Sequence, residues 1–81
     1  MRMIENFEGY LLDLNVIMIH LGFYSEEDYI YDDRTDLIND KNIMYTDKRN
    51  DSDHILIEFE VLEDWSEYAS PYIKVTNIFN N

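Results

Sequence analysis

The side chains of this chain best suited to chemistry are its carboxylates, and they fall into two rows. Glu58, Glu60, Glu63, Asp64 and Glu67 form one, with Trp65 among them. Glu26, Glu27, Asp28, Asp32, Asp33, Asp36 and Asp40 form the other. Carboxylates at such spacing can relay protons, hold a cation, or present a negative surface to a basic partner.

Proton transfer is the weakest of the three. Glu58 and Glu60 lie two apart on one strand face, about 7 Å from each other, a separation compatible with an acid–base pair. Two acids on the solvent face of a strand are also ordinary, and nothing else in the chain completes a catalytic set. The serines at 25, 52, 66 and 70 sit in no nucleophile motif, and Gly9 and Gly22 cannot build a phosphate-cradling loop. The chain is therefore expected not to be an enzyme.

Cation binding fares little better. A calcium loop opening at Asp47 would place Asp51, Asp53 and Glu58 at its fifth, seventh and twelfth positions. It would also place Arg49 at the third, a cation beside the ion, and Ser52 at the sixth, where the sharp turn wants glycine. Opening at Asp51 puts Leu62 at the twelfth. His20 and His54 offer no zinc spacing, and with no cysteine a structural zinc site would need carboxylates. No metal and no cofactor is expected.

The third use of carboxylates matches the composition. Eighteen Asp and Glu stand against six Lys and Arg, giving a net charge of −12 over 81 residues that are nevertheless 46% hydrophobic and 15% aromatic. A disordered acidic tail lacks the apolar residues needed to offset the entropy of ordering. This is the composition of one folded domain, residues 1–81, that tolerates self-repulsion beyond the net charge of about 2 to 8 that keeps a small domain soluble. Direct nucleic-acid binding runs against the charge, because phosphates are held by Lys and Arg. The only basic pair, Lys48-Arg49, is flanked by Asp47 and Asp51. The absence of cysteine is compatible with a reducing cytoplasm, the expected location. The N-terminus lacks a signal-peptide pattern, and the apolar stretch from Tyr10 to Leu21 is interrupted by Asp13, Asn15 and His20 and is short of the roughly 20 residues needed to span a bilayer.

The elements that must carry these residues follow from periodicity. Ile4, Phe7, Leu11, Leu14, Met18 and Leu21 recur at steps of three and four, predicting an amphipathic helix over residues 3–21, with Gly22 at its C-terminal end. Val16 to Leu21 also has β-branched character, but the longer period favours the helix. Tyr10, Val16, Ile17 and Ile19 widen the apolar surface, and Tyr10, Ile17 and Ile19 are candidates for a homodimer contact. For residues 23–41 the reading divides between a short helix from about 26 to 33, entered at Ser25, and a strand at Tyr29-Ile30-Tyr31. Two strands, 42–46 and 54–62, flank a polar loop at 47–53. In the second strand Ile55, Ile57, Phe59 and Val61 face the core, and His54, Leu56, Glu58, Glu60 and Leu62 face away. After a connection over 63–70, closed by Pro71, a last strand spans 72–79. The expected fold is α+β, one N-terminal amphipathic helix on an antiparallel sheet of about three strands.

In texture the chain resembles small phage-encoded acidic inhibitors: DNA-mimic anti-restriction and anti-CRISPR proteins and uracil-DNA glycosylase inhibitors. The resemblance is carried by size, lack of cysteine, and acid–aromatic mixing in Asp28-Tyr29-Ile30-Tyr31-Asp32-Asp33 and Glu58-Phe59-Glu60-Val61-Leu62-Glu63-Asp64-Trp65. It implies a mode of action and no fold: a non-enzymatic inhibitor whose acids imitate the phosphate track, spaced about 3.4 Å along the axis per strand, and so occupy the basic surface of a nuclease or other nucleic-acid-processing complex. The expected partner-binding residues are Glu58, Glu60, Glu63, Asp64, Trp65, Glu67, Asp32, Asp33 and Asp36. Two alternatives stay open, an immunity or antitoxin-type protein that neutralises a basic toxin, and a small structural or assembly subunit.

Overall fold

The computed structural model describes residues 4–25, 41–63 and 70–80. In these the chain forms β1 (Glu8–Tyr10), α1 (Leu11–His20), β2 (Phe23–Tyr24), β3 (Asn42–Asp47), β4 (Asn50–Glu63) and β5 (Tyr72–Asn80). The strands make one sheet in the order β1-β5-β4-β3-β2, with every neighbouring pair antiparallel. The architecture is α+β as expected, with five strands in place of about three.

Both additional strands are edge strands of two or three residues, too short for a period of two to register in sequence. β1 also shortens the helix, which begins at Leu11 and not at residue 3. The break is local: Asn6 has a left-handed φ of 61°, which ends the turn closed by the Phe7 amide on the Ile4 carbonyl at 3.0 Å. Phe7 then accepts the Val75 amide at 2.8 Å, and Glu8, Gly9 and Tyr10 pair with Lys74, Ile73 and Tyr72. Gly9 has no side chain because the Phe7 ring lies over it; a Cβ there would sit 2.9 Å from the ring's Cζ. Tyr10 consequently belongs to β1 and not to the helix surface. Within α1 the stripe holds, since Leu11, Leu14 and Met18 are buried; Ile4, in a turn ahead of β1 and outside the helix, is buried as well.

The ends of α1 are held by other parts of the chain. Tyr10 offers no side-chain cap. Instead the Leu11 amide donates to the Pro71 carbonyl at 3.0 Å and the Leu12 amide to Ser70 Oγ at 2.9 Å, so the connection entering β5 satisfies two of the donors a helix start leaves free. At the other end Gly22, at φ 93°, donates to the Ile19 carbonyl at 3.0 Å, the left-handed exit expected of it.

One face of the sheet and the inner side of α1 enclose the core. Ile43, Tyr45, Ile55, Ile57, Phe59, Ile73 and Val75 pack with Ile4, Leu11, Leu14 and Met18, each large aliphatic contributing about 1.5–3 kcal/mol by leaving water. A buried polar pair crosses this core, with the Tyr45 hydroxyl donating to Asn15 Oδ1 at 3.0 Å. The outward side of α1 is mixed: Val16 and Ile19, 46% and 44% exposed, stand with exposed Asp13 and His20.

The 47–53 segment is not simply a loop. Asp47 pairs with Asn50 across a two-residue turn at Lys48 and Arg49, and the next pairing is Thr46 with His54. Asp51, Ser52 and Asp53 therefore bulge between two registers, all exposed, which is why an apolar-free stretch can belong to a strand. The Arg49 amide donates to Asp47 Oδ1 at 2.9 Å. That bond is the main cause holding the Asp47 carboxyl below its usual value, opposed by desolvation and assisted by the Arg49 side chain. Among the described residues no helix is long and apolar enough to cross a membrane.

Candidate functional site

Because cross-strand partners share a face, the register defines what the sheet presents on the side away from α1. Four rows cross it. Met44, Leu56 and Phe79 make the first, and Asn42, Glu58 and Asn77 the second. Glu60, Lys74 and Glu8 form the third, and Glu63, Tyr72 and Tyr10 the fourth.

Two bulges produce this arrangement. Between the Glu58–Asn77 and Phe59–Val75 pairings Thr76 is skipped, and between Val61–Ile73 and Glu63–Tyr72 Leu62 is skipped. The first keeps Val75 inward while Asn77 and Phe79 turn outward. The second returns Glu63 to the outer face, where simple alternation from Val61 would have sent it inward. Glu58 and Glu60 point away from the core, as the alternation of Ile57 and Phe59 requires.

Glu8, Glu58, Glu60 and Glu63 thus stand on one surface, the last three at steps of about 7 Å or more along β4 and Glu8 about 10 Å from Glu60, two strands across with β5 between them. Lys74 is the one cation in these rows among the described residues, flanked in register by Glu60 and Glu8. Asn77 Nδ2 donates to Glu58 Oε1 at 3.2 Å. The ion pair between Arg49 Nε and Asp47 Oδ1, at 3.4 Å, lies at the hairpin turn, so among the described residues no ion pair neutralises the outer-face acids.

The fourth row mixes acid with aromatic. Tyr10 and Tyr72 meet edge to face, with ring centroids 5.2 Å apart, and the Tyr72 hydroxyl donates to Glu8 Oε2 at 3.4 Å. Desolvation, then the charge of Glu8 and its hydrogen bond, push the Tyr72 phenol above its ordinary value. The hydroxyl stays protonated and available as a donor at neutral pH.

Of the expected site residues, Glu58, Glu60 and Glu63 come together on this face. Asp64, Trp65, Glu67, Asp32, Asp33 and Asp36 lie outside the described residues, as does the rest of the middle acidic row and the helix or strand reading of residues 26–33. Glu8 joins the face although the helix expected over residues 3–21 had placed it off the sheet; its signal was the helix-breaking Gly9 beside it. Among the described residues no group of three or more His, Cys, Asp or Glu is placed to hold a metal. His54 Nδ1 instead lies 3.1 Å from Thr46 Oγ1. Comparison with protein-family models, with curated proteins and with solved structures finds no match.

Proposed function

We propose that this chain is a non-enzymatic inhibitor acting in the cytoplasm, which occupies the basic nucleic-acid-binding surface of a nuclease or nucleic-acid-processing complex in the manner of a DNA mimic. The observation that carries the reading is the outer sheet face. Among the described residues four carboxylates, Glu8, Glu58, Glu60 and Glu63, share it with a single lysine, on a chain whose net charge is −12. Repulsion among unpaired acids weakens folding, so their concentration on one surface is best understood as complementarity to positive charge elsewhere.

Capture of bound proteins from lysate at low salt, followed by assay of the purified target, tests the reading. Affinity falls steeply as salt rises, and double-stranded or single-stranded nucleic acid displaces the inhibitor from its target. Tight binding that neither salt nor nucleic acid weakens overturns mimicry. A toxin that binds this chain but no nucleic acid supports the immunity-protein alternative instead. A second reading, an assembly subunit or homodimer joined through α1, is favoured by Val16 and Ile19, one helical turn apart and both exposed. Sedimentation as a monomer at all concentrations removes it.

A further inference from the structure

The outer face is acidic at one end only. At the other, Met44, Leu56 and Phe79 stand in register across β3, β4 and β5, with Met44 51% and Phe79 50% exposed. Beside them is a shallow recess of about 300 Å³ lined by Met44, His54, Leu56, Phe79 and Asn80. Large apolar side chains placed directly opposite one another in water mark a surface that is covered in use. A pure copy of a phosphate track has no need of them.

We propose that this ladder is an apolar anchor site for a segment of the basic partner protein, which seats an aliphatic side chain between Met44, Leu56 and Phe79 and lays arginine or lysine over Glu58 and Glu60. The inference rests on the reading that the partner is a basic protein, and adds that its epitope is mixed. Area and charge select this occupant. Three side chains supply only part of the roughly 800 Å² that each partner buries in a stable interface, so the covering surface must extend along the strands. Two residues on from Leu56 it meets Glu58, and two further on Glu60, at steps of about 7 Å. Neither acid is ion-paired among the described residues. A second copy of this chain laid on the same face would set its own carboxylates against these. A nucleic acid would do so with phosphates. A cationic segment with an apolar side chain one strand step from its charges meets both features at once.

Three synthetic peptides test this against the full-length chain, followed by NMR. The first carries Leu, Arg and Arg at alternate positions with Thr between them, so that all three side chains share a face when extended. The second has Ser for Leu, and the third Glu for both Arg. The first peptide binds at least tenfold more tightly than the second and shifts the Met44 methyl, the Phe79 ring and the Glu58 and Glu60 amides. Phe79→Ser and, independently, Met44→Ser remove that tenfold advantage in variants whose circular dichroism and melting match the parent.

Equal binding of the Leu and Ser peptides overturns the anchor site, while salt-sensitive binding of both leaves the basic-partner reading standing. If neither Arg peptide binds, both readings are overturned. Binding of the Glu peptide as tightly as the first overturns the role of charge. Self-association of the chain that Phe79→Ser abolishes assigns the ladder to a second copy and overturns the proposal.

Discussion

The Tyr45 hydroxyl donates a 3.0 Å hydrogen bond to Asn15 Oδ1 inside the core, joining the middle of α1 to the centre of β3. Both residues are buried, so the bond fixes how the helix sits on the sheet and not only how much apolar area it covers. Tyr45→Phe removes it and lowers stability by about 1–3 kcal/mol, the range for disturbing a buried polar partner. Asn15→Leu combined with Tyr45→Phe costs less than the sum of the two single changes, because replacing both partners by apolar groups removes the desolvation penalty with the bond. Denaturant unfolding of the four proteins closes this cycle, and strict additivity would show that the pair is not coupled.

Ser70 does for the helix start what the residue before α1 does not. It is fully buried, its Oγ accepts the Leu12 amide, and its hydroxyl lies 3.4 Å from the Pro71 carbonyl that takes the Leu11 amide. Ser70→Ala is expected to lower stability by about 1 kcal/mol, as loss of a helix cap does, and Tm by roughly 4–8 °C for a domain of this size. Thermal melting that matches the parent would show that the amide is equally well satisfied without the hydroxyl.

Leu14 tests how far the sequence could be read. The three-and-four spacing placed it at the centre of an apolar stripe, and it is fully buried. Leu14→Ala should cost about 2–5 kcal/mol, and Leu14→Asp, which buries an unpaired charge, should prevent folding; a cooperative, parent-like melt for the second variant would contradict its place in the core. The same legibility holds for Ile55, Ile57 and Phe59, whose alternation fixes both faces of β4. It fails where the determinant is pairing and not pattern. β1 and β2 are shorter than any period they could display, and the skipped residues Thr76 and Leu62 have no local signature, because a bulge exists only relative to a partner strand. Glu63 therefore reaches the outer face for a reason no single segment contains, and Glu8 reaches it only because β1 pairs with β5.

The Tyr72 phenol gives a spectroscopic handle on the acid–aromatic end of the face. Its pKa is raised, first by desolvation and then by Glu8. An acid whose folded pKa is raised favours folding in its protonated form. That contribution is complete below the unfolded tyrosine value near 10 and is lost as pH climbs through the higher folded value. The ultraviolet titration difference between the parent and Tyr72→Phe should assign to Tyr72 a tyrosinate that appears later than that ordinary value. Glu8→Gln should bring the transition back toward the ordinary value without abolishing the whole shift, since desolvation remains. A transition indifferent to Glu8→Gln would mean that the 3.4 Å contact does not persist in solution.

Charge and packing can be separated on the outer face itself. Glu58, Glu60 and Glu63 contribute nothing to the core, and no ion pair among the described residues depends on them. Changing all three to Gln removes three negative charges from one surface and relieves mutual repulsion, so stability should hold or rise by a few tenths of a kcal/mol, the usual span of surface changes. Inhibition of the target should fall at least tenfold, and the slope of affinity against salt should flatten, because rim and surface charges act mainly through steering and screening. Binding measured across a salt series against the parent checks both at once. If the triple variant binds as tightly and with the same salt slope, these three acids do not contact the partner. The same neutralisation applied to Glu26, Glu27, Asp28, Asp32, Asp33, Asp36 and Asp40 then locates the surface, or, if it too is silent, sinks the electrostatic reading altogether.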